Sequence, residues 1–277
     1  MSADTHAIPS RGHLFHRTGL LLGRDAMQAL SSTRVAVFGA GGVGSWAAEA
    51  LVRTGVESLL LVDSDTLCST NVNRQVQATA LNIGTSKVEA LRRRLMEINP
   101  HARITAHHGA FTEHTAGQFP LADFDYVLDA IDSLKNKVLL IERCLEAGVR
   151  FYASMGAAAK LDPTLIRVAP LSQTRICPLA RMVRKRLYRR GLPLDFLCVY
   201  SEEPPVDPAS ETLCGTGQCA CSRRKSQASS PDASDPDWCA LKRQINGTVV
   251  HVTASFGLTL ASLVIRDIAR RHPARPG

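Results

Sequence analysis

An apolar stretch, Val35 to Phe38, runs directly into Gly39, Ala40, Gly41, Gly42, Val43 and Gly44, and a helical pattern follows. That spacing suits a buried parallel strand turning sharply into a helix. Glycines let the backbone turn tightly and approach a phosphate closely, and a helix N-terminus offers unpaired N–H groups to an anion. A second strand, Leu59 to Val62, ends in Asp63, where a carboxylate can accept hydrogen bonds from ribose hydroxyls. On these residues alone, a nicotinamide-dependent oxidoreductase explains the pattern as well as an ATP-using enzyme does.

The residues beyond Asp63 favour ATP. Asp65 joins Asp63 as a candidate nucleotide ligand. Asn71, Arg74 and Gln75 follow in the same loop, and Lys87 opens the next helix. Hydride transfer has little use for an arginine and a lysine here, whereas breaking a triphosphate needs both. Arginine forks onto phosphate oxygens, and lysine sets a point charge against departing pyrophosphate. A further strand, Tyr126 to Leu128, ends in Asp129, with Asp132 just beyond in LDAIDS. A carboxylate there can hold magnesium between phosphates. Singly, Asp63 or Asp132 reads equally well as a cap, and Lys87 as a solvated helix residue. Together they all follow the carboxyl ends of expected parallel strands, where such sheets bind ligands.

Strands and helices alternate from residue 34 to about 170. This gives an α/β fold with a doubly wound, mostly parallel sheet. Expected strands are Arg34 to Phe38, Ser58 to Val62, Arg103 to His107, Tyr126 to Leu128, Arg150 to Ala153 and Leu165 to Ala169. Val88, Leu91, Leu95 and Ile98 share one face of a helix from Lys87 to Glu97, which Pro100 ends. Leu20 to Leu30 reads as an amphipathic helix before the first strand. One domain over 1–277 is expected: a helical segment 1–33, a nucleotide-binding core 34–170, a basic crossover segment 171–202, a loop 203–237 and a returning helix 238–277. The loop is rich in Pro, Ser, Asp and Gly and too poor in large apolar residues to fold alone.

The net charge is +8, and it is concentrated. RMVRKRLYRR, residues 181–190, holds Arg184, Lys185, Arg186, Arg189 and Arg190 with apolar residues interleaved at helical spacing. An amphipathic helix with a cationic face is expected, suited to the phosphate backbone of RNA. The opening MSADTHAIPS lacks a secretory pattern, so the eight cysteines are expected to be reduced thiols in the cytoplasm. Thr248 to Ile265 is apolar but carries His251, Thr253, Ser255, Thr259 and Ser262. It is expected to be a buried helix, with no integral membrane span.

The set GAGGVGSWAAEALVRTGV, LVDSDTLCSTNVNRQ, IGTSKVE, INP and DAIDS resembles the ubiquitin-activating-type adenylating enzymes. NVNRQ, DAIDS, LDPTLIRV and CVYSEEP are closest to one branch, the tRNA threonylcarbamoyladenosine dehydratases. The resemblance spans about Thr18 to Ile268. It implies ATP and Mg2+, with Asp63 on ribose, Arg74 and Lys87 on phosphates, Asn71 orienting the α-phosphate and Asp132 on magnesium. The implied substrate is tRNA bearing threonylcarbamoyladenosine, dehydrated to its cyclic form, and the implied assembly is a homodimer.

The same resemblance leaves rivals. One is adenylation of the C-terminal glycine of a small sulfur-carrier protein, and a sulfur-transfer protein is among the partners the resemblance implies. A nicotinamide-dependent oxidoreductase leaves Arg74 and Lys87 idle. An RNA-binding scaffold with a vestigial site would release no pyrophosphate. Some relatives hold zinc through two CxxC pairs, whereas Cys214, Cys219, Cys221 and Cys239 lack that spacing, so zinc is not expected. Other relatives carry acyl groups on a crossover cysteine. Cys177 and Cys198 lie near that segment and are expected to be incidental. Where the family places an N-terminal arginine reaching a phosphate, this chain has Leu20, with Arg17 and Arg24 nearby.

Overall fold

The structure, a computed structural model, describes residues 8–209 and 246–274. Its sheet has seven strands: β1 Arg34–Phe38, β2 Ser58–Asp63, β3 Arg103–His108, β4 Tyr126–Asp129, β5 Arg150–Ser154, β6 Ile166–Pro170 and β7 Leu197–Ser201. Their spatial order is β3-β2-β1-β4-β5-β7-β6. All pairings are parallel except that of β6 with β7. The strand order reverses between β1 and β4, which opens a crevice at their carboxyl ends.

The helices of the described residues are α1 Arg11–Leu14, α2 His16–Ser32, α3 Gly44–Thr54, α4 Lys87–Ile98, α5 Leu134–Ala147, α6 Pro178–Arg189 and α7 Val250–Arg271. One core joins the sheet to α3, α4 and α7 through residues such as Leu51, Leu91, Phe256 and Leu260. The other joins the opposite face to α5 and α6 through residues such as Leu140, Ile141, Val183 and Leu187. The central strands are buried on both faces, as doubly wound sheets require.

The strands fall within a residue of the expected ends, apart from β7, which the sequence reading left inside the basic crossover segment 171–202. Its residues LCVYS form a short run without alternation, and they pair with β5 on one side and β6 on the other. α7 is long and apolar enough to cross a membrane by length and composition. Here it packs along α3, and a Cβ on Gly257 would lie 2.4 Å from the Val43 carbonyl oxygen. Cys214, Cys219, Cys221 and Cys239 lie outside the described residues.

Candidate active site

The glycine-rich turn follows β1 at the strand-order reversal. Gly39 has φ of +94°, and a Cβ there would lie 2.6 Å from the Ala130 carbonyl oxygen. At Gly44 a Cβ would collide with the Gly39 carbonyl oxygen at 1.8 Å. Both positions therefore accept only glycine. Gly41 faces open space, and Gly42 lies against the aliphatic stem of Arg74 and the Thr253 side chain.

Ala40 is held from both sides. Its N–H donates to Asp63 Oδ2 at 2.7 Å, and its carbonyl accepts from Gln77 Nε2 at 2.8 Å. Asp63 Oδ1 accepts from the Asp65 N–H at 2.8 Å. Each carboxylate oxygen of Asp63 thus has capacity to accept a further hydrogen bond. Burial pushes the Asp63 carboxyl up from the usual range, against the pull of Lys87.

Lys87, at the first turn of α4, is buried, and its Nζ lies 2.7 Å from Asp65 Oδ2. Burial works against its charge, but the carboxylates of Asp63, Asp65 and Asp132 outweigh it, and its affinity for a proton rises. Lys87 is therefore a fixed cation at neutral pH. Arg74 Nη1 donates to the Thr70 carbonyl at 2.7 Å and to Asn73 Oδ1 at 2.9 Å, and its own carbonyl accepts from the Trp46 indole at 3.0 Å. Asn71 is buried, with Oδ1 accepting from the Cys68 N–H at 2.9 Å. Gln75 and Gln77 are both buried with Oε1 lacking a hydrogen-bond partner, and Gln77 is the one bonded to the turn.

β4 delivers the acidic pair. Asp129 is fully buried, with Oδ2 2.7 Å from Lys137 Nζ and Oδ1 accepting from the Ile131 N–H at 3.0 Å. Lys137 Nζ also donates to the Ser154 carbonyl at 2.9 Å, which ties the ends of β4 and β5 together. Burial raises the Asp129 carboxyl despite Lys137. Asp132 is exposed, and its charge acts on Lys87. No cluster of three metal-ligating side chains occurs among the described residues. A magnesium ion commonly takes one or two protein carboxylates plus phosphate oxygens, so Asp132 alone fits that donor set.

The sequence reading missed Gln77 and Lys137. Lys137 had a signal, since it shares a helical face with Leu140, Ile141 and Cys144, all buried. Gln77 had none, because its partner Ala40 lies on another loop.

The basic helix is α6, but its charges divide. Lys185, Arg186 and Arg189 are exposed, as is Arg181. Arg184 turns inward: Nη1 donates to the Leu171 carbonyl at 3.2 Å, the Thr174 carbonyl at 2.9 Å and Thr174 Oγ1 at 2.6 Å. Arg190 pairs with Glu142 at 2.5 Å. Cys177 and Cys198 are both buried, and burial pushes the Cys198 thiol up to about 12.

Comparison with known proteins fits this arrangement. The model of the ThiF family matches residues 16–274. The tRNA threonylcarbamoyladenosine dehydratase of Escherichia coli (strain K12) is 36% identical over 273 residues, covering 95% of this chain and 96% of that one. Its counterpart in Bacillus subtilis (strain 168) is 41% identical over 194 residues, covering 70% of this chain and 76% of that one. The crystal structure of the E. coli dehydratase TcdA in complex with ATP superposes with a TM-score of 0.78 at 31% identity, over 96% of this chain and 98% of that one.

Proposed function

Because the chain belongs to the ThiF family, we propose that it dehydrates N6-threonylcarbamoyladenosine in tRNA to the cyclic form, at the expense of ATP. The observation that carries this reading is the near full-length match to a dehydratase of that name, in a chain whose Asp63, Arg74 and Lys87 surround one glycine-rich turn. Adenylation of a sulfur-carrier protein is the weaker alternative, and a sulfur-transfer protein is proposed as a further partner.

The chemistry follows from the charges. The threonyl carboxylate attacks the α-phosphorus of ATP, and pyrophosphate leaves. Asp63 holds the ribose, the turn and the start of α3 face the phosphates, and Arg74 and Lys87 meet charge that grows on the leaving group. Gln75 Oε1 is free to accept from the nucleotide, and Asn71 keeps the Arg74 loop in shape. Asp132 would hold magnesium, which when bound neutralises phosphate charge. A nitrogen or oxygen within the same threonylcarbamoyl group then attacks the acyl carbon and expels AMP, which carries away the carboxylate oxygen. Intramolecular attack gains from proximity and needs no enzyme nucleophile.

The exposed cations of α6 are assigned to the RNA backbone, and a cytoplasmic location is proposed with that substrate. A homodimer is the proposed assembly, with exposed Leu20 and Leu21 of α2 offering apolar surface to a second copy. The deciding assay combines the protein with ATP, magnesium and tRNA bearing the modification, and weighs the digested nucleosides. Loss of one water from the modified adenosine is expected. An unchanged mass, with pyrophosphate released only when a carrier protein is added, would favour the alternative.

A further inference from the structure

Between the β6–α6 loop and the end of β7 lies an open groove of about 570 Å3, lined by Ser172, Gln173, Thr174, Arg175, Tyr200 and Glu202. None of these residues belongs to the nucleotide site. The lining offers hydroxyls, an amide, a guanidinium and a carboxylate, a mixed set of donors and acceptors. The volume lies within the range of about 300–1,000 Å3 usual for small-ligand sites.

The loop that walls this groove is stiff and strained. Arg184 pins it from behind through Leu171 and Thr174. At its end the Cys177 N–H donates to the Arg175 carbonyl at 2.6 Å, and Ile176 between them has φ of +61°. This is a γ-turn of the rare, strained hand, centred on a β-branched residue. Its apolar side chain is 55% exposed, so burial in this chain does not offset the strain. Strain of this kind, held by surrounding hydrogen bonds, gathers at ligand clamps. Arg175 beside it is exposed, and the exposed Arg181, Lys185, Arg186 and Arg189 follow on α6.

We propose that this groove receives one nucleotide unstacked from the RNA strand beside the reacting adenosine, with Ile176 as the wedge. The inference rests on the tRNA reading of the active site. Arg175 meets the phosphate of that nucleotide, Gln173 and Glu202 read the edge of its base, and the cations of α6 carry the flanking backbone. Exposed cations on this loop and on α6, beside a polar groove roomy enough for a nucleotide, select RNA over a protein partner. Single-stranded loops are recognised by splaying bases out and contacting their faces and edges.

The test uses the full chain and a tRNA that carries threonylcarbamoyladenosine with 2-aminopurine as the next nucleotide on the 3′ side. Wild-type binding is expected to raise 2-aminopurine fluorescence several-fold as the base unstacks. Ile176→Gly suits the turn better and keeps the fold, since glycine takes positive φ without strain. It is expected to remove most of the rise and to increase KM for tRNA about tenfold, the loss of one base contact, while KM for ATP stays constant. Gln173→Ala is expected to raise KM for tRNA in the same way. Wild-type fluorescence and KM in both variants would overturn the groove while leaving the tRNA reading intact. A wild-type protein that fails to bind the modified tRNA at all would overturn that reading, and the groove with it.

Discussion

Lys87 Nζ lies 2.7 Å from Asp65 Oδ2, so the cation assigned to the leaving pyrophosphate is fixed by a carboxylate two residues beyond the one assigned to ribose. Its position is set before any phosphate arrives. Preorganised charge of this kind acts on the transition state with little reorganisation.

Lys87→Ala and Arg74→Ala are each expected to slow pyrophosphate release about a hundredfold or more, the usual loss for a transition-state charge contact. Circular dichroism should report an unchanged fold for Arg74→Ala. Near-normal pyrophosphate release in both variants would remove both residues from the mechanism.

Asp132→Asn is expected to raise the magnesium concentration needed for half-maximal activity, because an amide is a poorer ligand than a carboxylate for a hard cation. Titrating magnesium at saturating ATP checks this. An unchanged midpoint would leave Asp132 with only its electrostatic influence on Lys87.

The division of charges on α6 gives a two-part expectation. Lys185→Glu with Arg186→Glu should weaken tRNA binding and flatten its dependence on salt, since fewer counterions are released. Arg184→Ala should instead lower thermal stability by loosening the 171–177 loop, and leave the salt slope as it was. Equal salt slopes for the charge-reversed and wild-type proteins would move the RNA to another surface.

Among the described residues, the buried thiols should be chemically quiet. Cys198 is buried with its pKa pushed up to about 12, so its thiolate fraction stays negligible at pH 8 and grows only as pH approaches that value. Peptide mapping after alkylation at pH 8 should therefore find Cys68 modified well before Cys144, Cys177 or Cys198, which are buried. Cys177→Ala and Cys198→Ala should retain dehydration. A trapped thioester on either residue of the wild type would redirect the chemistry toward carrier activation.

The parts of this molecule legible in the sequence are those set by local pattern. Val35–Phe38 before the glycines announced β1, and the sequence also named Asp63, Asp65, Lys87 and Asp132, whose charges the fold brings near one another. Pairing across elements left little trace. Lys137 meets Asp129 only once α5 packs on β4, and Gln77 reaches Ala40 only once two loops converge. The inward turn of Arg184 was hidden for a related reason. Helical spacing gave the row of charges on α6, but Leu171 and Thr174 supply carbonyls that only the folded loop brings beside it. β7 was missed because four apolar residues in a row, Leu197 to Tyr200, do not distinguish strand from connector.

The contact of Gly257 with the Val43 carbonyl has a consequence for how the protein is made. A chain emerging from the ribosome presents the glycine-rich turn and α3 long before α7 exists to cover them. Until α7 arrives, the apolar face of α3 remains bare, and Thr253 is missing from beside Gly42. The nascent chain therefore presents an unfinished nucleotide site until α7 has been made, and translation products interrupted before α7 are expected to be inert toward ATP and open to chaperones or proteases.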